Sequence, residues 1–198
     1  MKILAFVDLH GRMTDLKKLV ARANKPDINM VVNAGDLTIF GDKLAKIAKE
    51  LSKIKKPVIM IPYNHETDEQ IYRVCKKYFS LIYLQKKYLR KKDYLFIGYG
   101  GGGFSFIDKK FEKLAVKFKK EIKKNDKVIL VSHAPPYGTK VDKIGSEHCG
   151  NKSIRKFIDK KKPDLVICGH IHECAGKEDK IGKTRIVNPG WKGKVLEI

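Results

Sequence analysis

Side chains that can bind a metal ion stand at the ends of five short apolar runs in this chain. In chain order, the candidate donors are Asp8, His10, Asp36, Asn64, His65, His133, His170 and His172. Five of the six histidines belong to this set, and only His148 lies outside it. Imidazole nitrogen mixed with carboxylate and amide oxygen favours Mn, Fe, Zn, Ni or Co over Ca²⁺ or a thiolate cluster. The residue types therefore predict a site for divalent first-row metals.

The spacing of two donor pairs suggests how they reach one site. One apolar residue separates the donors in Asp8-Leu9-His10 and in His170-Ile171-His172. In an extended backbone, positions i and i+2 point to the same side, so both donors of a pair are expected to face one site.

The size of the donor set indicates more than one ion. A single tetrahedral ion needs fewer donors than the chain offers. Two ions that share a carboxylate and lie about 3.5–4 Å apart fit better. Two divalent ions with two carboxylates and one hydroxide leave the site positive, which favours a phosphate ligand.

The elements that must position these donors alternate between strand-like and helix-like patterns. Apolar runs at 3–7, 30–32, 58–61, 128–131 and 165–168 are predicted strands, and helical spacing of apolar residues follows the first three. Thr67 and Gln70 match a capping box at the start of one helix. Because the carboxyl ends of strands form the ligand-binding edge in open α/β sheets, the donor segments are expected to converge there.

The centre and the tail of the chain favour antiparallel strands. Residues 81–89 and 94–99 are predicted to be two strands joined by a polar turn, and 180–198 to form short strands. A long loop is expected at 134–150. Parallel strands together with hairpins indicate mixed sheets, and two packed sheets with helices outside accommodate both. No repeat or linker is visible, so one domain spanning 1–198 is predicted.

The ordered set Asp-x-His, Gly-Asp, Asn-His-Glu, His and Gly-His-x-His resembles the calcineurin-like metallophosphoesterase superfamily. Residues 132–140 and 169–173, with Asn188-Pro189-Gly190, resemble its small prokaryotic and brain-type phosphodiesterase branch. The resemblance implies an α/β fold, a four-layer α/β/β/α sandwich of two mixed sheets flanked by helices. It also implies a phosphoesterase that hydrolyses a phosphodiester or phosphomonoester by in-line attack of a hydroxide bridging two metal ions.

The resemblance further implies a role for each donor. One ion would be held by three residues: Asp8, His10 and His172. The other would be held by Asn64, His133 and His170. Asp36 would bridge both ions, and His65 would orient the phosphate and protonate the leaving oxygen, which makes Asp36 and His65 the expected catalytic residues. The expected ions are two Mn²⁺, with Fe, Ni, Zn or Co as alternatives.

Two further residues are candidates for substrate binding. The family usually has glycine directly before Asn-His, where this chain has Tyr63. Tyr63 could strain the turn and re-aim Asn64 and His65, or it could line the pocket and stack on a base. His148 lies in the long loop, from which it could reach the phosphate, and the alternative is a surface or packing histidine.

The charge of the chain leaves two other functions open. Lys and Arg number 43 against 22 Asp and Glu, which gives a formal net charge of +21. This excess favours a nucleic-acid partner beside a small phosphate ester such as a nucleotide, although lysines on helix faces would simply be solvated. The alternatives are a nuclease or RNA-processing enzyme with the same site, and a non-catalytic scaffold of the same fold.

Other features narrow the class of protein. No run approaches the roughly 20 apolar residues of a membrane span, and the first residues show no signal-peptide pattern. A cytoplasmic protein without a membrane partner is therefore predicted. Gly98–Gly103 matches G-x-G-x-x-G, but Phe104–Ile107 do not open a helix as a dinucleotide site requires.

Overall fold

The computed structural model describes all residues from Met1 to Ile198. The strands are β1 (Lys2–Phe6), β2 (Met30–Asn33), β3 (Val58–Met60), β4 (Leu81–Tyr83), β5 (Tyr88–Lys91), β6 (Tyr94–Tyr99), β7 (Lys127–Ser132), β8 (Lys143–Ile144), β9 (Glu147–His148), β10 (Leu165–Ile167), β11 (Glu178–Ile181), β12 (Thr184–Val187) and β13 (Lys194–Glu197). The helices are α1 (Met13–Ala23), α2 (Leu44–Leu51), α3 (Asp68–Lys77), α4 (Lys109–Glu121) and α5 (Lys152–Lys161), with a short 3-10 helix at His172–Cys174.

Eleven of the strands form two mixed sheets. The first has the order β13-β1-β2-β3-β4, in which β1 to β4 are parallel and β13 is antiparallel to β1. The second has the order β11-β12-β10-β7-β6-β5, with four parallel strands in the middle and an antiparallel strand at each edge. The parallel strands and the antiparallel edges both agree with the sequence patterns.

Three apolar clusters hold the layers together. Alternate residues of β1 bury both faces of the first sheet: Leu4 and Phe6 pack against α1, α2 and α3, whereas Ile3 and Ala5 pack between the sheets. The third cluster joins the second sheet to α4 and α5. A strand buried on both faces appears as a continuous apolar run, which is why β1 is so clear in the sequence. The order of layers confirms the four-layer α/β/β/α sandwich.

Polar side chains at helix starts define where α3 and α5 begin. The capping box predicted at α3 is present: Thr67 Oγ1 accepts from Gln70 N at 3.1 Å, and Gln70 Oε1 accepts from Thr67 N at 2.8 Å. Asn151 caps α5 by accepting from Ile154 N at 2.9 Å. These contacts satisfy backbone N–H groups that a helix start otherwise leaves unpaired.

Two sequence expectations about the strands are wrong in detail. Residues 81–89 do not form one strand: β4 pairs with β3 in the first sheet, whereas β5 pairs with β6 in the second. The chain crosses between the sheets near Gln85, which forms an isolated bridge with Gly98. The long loop at 134–150 is also not free of strands, since β8 and β9 form a small hairpin within it. Among the helices, none combines the length and apolar character needed to cross a membrane.

Candidate metal centre

The ends of β1 and β2 run together beyond the first sheet. Asp8 N donates to Gly35 O at 3.2 Å, and His10 N donates to Asp36 O at 3.1 Å. These bonds link the segment after β1 to the segment after β2. They therefore hold Asp8, His10 and Asp36 in one place although Asp8 and Asp36 are 28 positions apart along the chain.

The second sheet meets this place through a close approach at Gly169. Gly169 N donates to His133 O at 2.9 Å, which joins the ends of β10 and β7. A Cβ on Gly169 would overlap the side chain of Val7 and lie 2.9 Å from Asp8 Oδ2. His170 N donates to Asp8 Oδ2 at 3.1 Å. The absence of a side chain at Gly169 thus lets the carboxyl ends of the two sheets touch.

The predicted donors converge at this junction of the two sheets. Three groups have their ligand atoms within 4.8 Å of one another. The groups are Asp8, His10 and His172; Asp8, Asp36 and His133; and His10, Asp36 and His65. The two remaining predicted donors, Asn64 and His170, line the same pocket of about 320 Å³ as Asp36. The structure thus brings together all seven residues predicted as metal ligands.

The ring nitrogens of this cluster are arranged as a divalent ion requires. His133 Nδ1 donates to Ala34 O at 2.8 Å, so its Nε2 carries a lone pair. That Nε2 lies 3.5 Å from Asp36 Oδ2 and 3.8 Å from Asp8 Oδ1. It is buried without a hydrogen-bond partner, as is His170 Nε2. Buried polar atoms nearly always have a partner, so two unpartnered ring nitrogens, one of them beside two carboxyl groups, fit a bound cation.

His10 and His172 offer a second pair of ring nitrogens. His10 Nδ1 donates to Thr38 O at 3.3 Å, which leaves the Nε2 lone pair free. Its Nε2 lies 3.1 Å from His172 Nε2, where one cation could bind both rings. A backbone carbonyl that fixes the tautomer of a ligating histidine is the usual arrangement at metal sites.

Burial favours the neutral form of the buried donors. Desolvation, followed by the charge of Asp36, raises the pKa of Asp8 to about 8. Desolvation raises the pKa of Asp36 to about 7. Desolvation, with a smaller effect of His172, lowers the pKa of His10 and of His170 to about 4. Without metal, the cluster therefore holds neutral imidazoles and carboxyl groups that are largely or partly protonated at neutral pH, and a bound divalent ion would supply the counter-charge that keeps the carboxylates ionised.

The backbone at the donors is left-handed, so the predicted extended geometry of the donor pairs is wrong. The φ angles are 53° at Asp8, 46° at His10, 51° at Asp36 and 72° at His170. Each chain segment turns sharply at the strand end, and the backbone bonds between the loops hold it there. Non-glycine residues rarely adopt this region, and such strain is concentrated at functional sites.

Comparison with known proteins agrees with this geometry. A family model described as calcineurin-like phosphoesterase matches residues 1–174. The chain belongs to the calcineurin-like phosphoesterase family. The protein MJ1162 of Methanocaldococcus jannaschii is 34% identical over 205 residues, which cover 97% of this chain and 89% of that protein.

Two solved structures share the phosphoesterase fold. The protein TT1561 of Thermus thermophilus aligns with a TM-score of 0.78 at 18% identity, over 96% of this chain and 89% of that one. A structure described as a novel archaeal phosphodiesterase aligns with a TM-score of 0.54 at 14% identity, over 96% and 84%. At these identities the likeness concerns the fold alone.

In this phosphoesterase, His65 faces the donors with a defined tautomer. Its Nδ1 accepts from Phe40 N at 3.1 Å, so in the neutral ring the proton is on Nε2. The ring lies 4.9 Å from that of His10 in an edge-to-face arrangement. His65 can therefore donate a hydrogen bond from Nε2 to an anion at the metal centre.

Glu66 and Thr38 were missed as members of this site by the sequence reasoning. Glu66 Oε1 accepts from both Thr38 N and Thr38 Oγ1 at 2.6 Å. Because Thr38 O binds His10 and the same loop carries Phe40, Glu66 supports both histidines indirectly. Its position directly after Asn-His was a signal for Glu66, whereas nothing in the sequence pointed to Thr38.

Tyr63 lies beneath the donors and does not strain the chain. Its ring stacks on His133, with centroids 3.8 Å apart and an interplanar angle of 19°. Its backbone is not left-handed, so the strain considered for the missing glycine is absent. Desolvation, with smaller effects of Asp36 and Asp108, raises the pKa of Tyr63 to about 12, so the hydroxyl stays neutral.

His148 lies on the β8–β9 hairpin and does not line the pocket, although Ile144 of the same hairpin does. Its Nδ1 is 2.6 Å from Asp142 Oδ1. Asp142 is fully buried and accepts from three backbone N–H groups, those of Gly138, Thr139 and Gly150. The Asp142–His148 contact thus closes the loop that follows His133.

Proposed function

We propose that the chain is a single-domain, two-metal phosphodiesterase, spanning residues 1–198, that hydrolyses small phosphate esters. The observation that carries this proposal is the convergence of seven donors from both sheets, with the unpartnered His133 Nε2 facing Asp8 and Asp36. A phosphomonoester is the second candidate substrate. Mn²⁺ is the proposed ion, since mixed nitrogen and oxygen donors suit it.

The distances support a division of the donors between two ions. The cluster of Asp8, His10 and His172 would hold the first. The second would be held by Asn64, His133 and His170. Asp36 belongs to one group with His10 and to another with His133, which suits a bridging carboxylate. When bound, such ions lower the pKa of water and offset charge on phosphoryl oxygens.

His65 would act on the phosphate as a hydrogen-bond donor. The Phe40 N–H occupies its Nδ1, so the proton on Nε2 is the one it presents to the pocket. A second ring proton on Nδ1 would displace the Phe40 contact. We therefore assign His65 mainly to orienting the phosphate, and proton transfer to the leaving oxygen would require that contact to open.

The distribution of charge favours a small ester over a nucleic acid. No lysine or arginine lines the pocket that holds the donors. A basic cleft formed by Lys119, Lys156, Lys160 and Lys161 lies on α4 and α5 instead. These helices end just before β7 and β10 begin, so most of this charge lies at the edge opposite the metal centre. It is poorly placed to steer a polyanion to the site.

The test is turnover by protein of known metal content. Chelator-treated protein is reloaded with Mn²⁺, Fe²⁺, Co²⁺, Ni²⁺ or Zn²⁺ and assayed on bis-p-nitrophenyl phosphate and p-nitrophenyl phosphate. We expect two ions per chain and faster diester than monoester hydrolysis. His148→Ala, which changes a histidine outside the pocket, is the matched control for His65→Ala.

Three outcomes would contradict the proposal. Protein that carries two ions yet turns over neither ester would favour the scaffold alternative. Failure of the protein to bind metal would show that the donors do not form a metal site. Cleavage of DNA or RNA with steep salt dependence, without turnover of the small esters, would favour the nuclease.

A further inference from the structure

We propose that Phe40 and Phe104, here called the aromatic rim, bind a planar base-like group of the substrate. This inference rests on the proposed function, because it names the class of phosphate ester that the metal centre receives. The occupant is a phosphate ester of a nucleoside-type compound, with its heterocycle held by the rim.

The two phenylalanines are exposed and yet contact the residues of the centre. Phe40 is 81% exposed and Phe104 is 61% exposed. The Phe40 ring lies 4.6 Å from that of His65, and the Phe104 ring lies 4.3 Å from that of His170. Single exposed apolar residues are ordinary, but here each of two exposed rings contacts a histidine that lines the same pocket, which offers a flat ligand group aromatic surface to stack on.

Phe40 is held in place at a conformational cost. Its φ is 49°, a region that bulky residues avoid. The next residue, Gly41, donates from N to Thr38 Oγ1 at 2.9 Å, and Thr38 is in turn bound by Glu66. Because the Phe40 ring is exposed, its burial does not offset this backbone strain. Strain that a buried network maintains therefore points to a function of the ring.

Phe104 follows a glycine run that packs too closely for other residues. A Cβ on Gly100 would overlap Pro62 O, and one on Gly103 would overlap Tyr63 Oη. The run therefore lies directly on the segment that leads to Asn64. This contact explains Gly100 and Gly103 without a dinucleotide site, and it fixes where Phe104 emerges beside His170.

The size of the pocket places the organic part of the ester at the rim. The pocket measures about 320 Å³ and is lined by five of the seven predicted metal ligands together with Phe104 and Ile144. That volume is at the lower end for small-ligand sites, and the ions and a phosphoryl group would take much of it. The rest of the ester must extend to the mouth, where a flat heterocycle can stack on the rings.

Stacking, not burial of area, favours a planar over an aliphatic group. Base–aromatic stacking strengthens binding by roughly tenfold or more per base, and it tolerates any base. An aliphatic chain on exposed rings gains only the free energy of burying the apolar area that it covers. The rim thus predicts selectivity for flat ring systems with little preference among them.

The experiment compares two ligands that differ only in the base. Adenosine 5′-methylenephosphonate and ribose 5-methylenephosphonate have C–P bonds that resist hydrolysis, so binding to Mn²⁺-loaded protein is measured by calorimetry at equilibrium. We expect the adenosine compound to bind about tenfold tighter. Phe104→Ala and Phe40→Asn should each remove most of this difference and leave the ribose compound unchanged. Asn is chosen at position 40 because it tolerates the left-handed backbone.

Further variants separate planarity from bulk and from general effects. Phe104→Trp should keep the preference, whereas Phe104→Leu should lose it. Phe79→Ala is the matched control, since Phe79 is fully exposed and precedes β4, at the other edge of the sheet from the centre. All of these side chains are exposed, and circular dichroism verifies the fold.

The inference is overturned if the two ligands bind equally, if neither binds, or if hexylphosphonate binds as tightly as the adenosine compound. An equal loss of affinity for both ligands in the Phe40 and Phe104 variants would also overturn it. Failure of the proposed function appears separately, as absence of metal or of turnover of bis-p-nitrophenyl phosphate. Normal turnover with no preference for the base would reject the rim alone.

Discussion

Replacing Asp8 by Asn should stabilise the metal-free protein and reduce the stabilisation that metal binding gives. Asp8 is buried beside Asp36, and burial raises the pKa of its carboxyl group from 3.8 to about 8. Asn has nearly the same shape, and its oxygen can still accept from His170 N. The substitution therefore removes the carboxyl group's ionisation while it retains the hydrogen bond.

The magnitude follows from the shift in pKa. At pH 7 the folded protein must hold a proton on Asp8 that the unfolded chain has lost. One pKa unit corresponds to about 1.4 kcal/mol, so the penalty at pH 7 is at most about 4 kcal/mol. Since a raised carboxyl pKa gives stability that is present at low pH and lost as pH rises, the advantage of Asn should vanish below about pH 4. It should grow until about pH 8, the pKa of folded Asp8.

Thermal unfolding of chelated and Mn²⁺-loaded protein measures this effect. For a chain of this size, about 4 kcal/mol corresponds to a rise in Tm on the order of 10 °C for metal-free Asp8→Asn at pH 7. At a hundredfold excess over Kd, Mn²⁺ should stabilise the wild type by about 2.7 kcal/mol per site, and the variant by less. The advantage of Asp8→Asn in Tm should thus shrink on adding metal, and it reverses only where the substitution abolishes binding of both ions.

Asp142→Asn is the matched control. Its carboxylate accepts from three backbone N–H groups, which the single amide oxygen of Asn cannot satisfy in the same way. It should destabilise the protein equally with and without Mn²⁺. If Asp8→Asn behaved in the same manner, with lower stability in both states, Asp8 would be a structural residue and the reasoning would be refuted.

Three other results are expected. Binding of Mn²⁺ at pH 7 should release roughly one or more protons from Asp8 and Asp36, because their raised pKa values keep both groups partly protonated. The release should fade above pH 9, and calorimetry in buffers of different ionisation enthalpy counts the protons. His65→Ala should lower kcat on bis-p-nitrophenyl phosphate by about 10² or more while elemental analysis still finds both ions. Gly100→Ala should lower the free energy of unfolding by about 2 kcal/mol or more, because its Cβ would overlap Pro62 O. An unchanged midpoint of chemical denaturation would contradict the packing described for the glycine run.

Much of the fold was predictable because the parallel strands are buried on both faces. The run 3–7 recurs as β1, and the other runs that precede donors recur as strands of the same two sheets. The residues before β5 were not predictable in this way. Their apolar pattern continues from 81 to 89, and only the tertiary pairing of Gln85 with Gly98 reveals that the chain changes sheets there.

The convergence of the donors was predictable from their places after the strands, but the local geometry was not. The left-handed backbone at Asp8 and His170 depends on bonds to loops distant in sequence. The stacking of Tyr63 on His133 likewise needs two strand ends from different sheets. The exposure of Phe40 and Phe104 could not be inferred from the sequence, since phenylalanine is among the residues most often buried.

Anomalous diffraction from crystals grown with Mn²⁺ locates the ions themselves. Two peaks about 3.5–4 Å apart are expected at the junction of the sheets, with Asp36 in contact with both. One peak should lie against His10 and His172, and the other against His133 and His170. A single peak, or manganese bound only away from Asp8 and Asp36, would contradict the account.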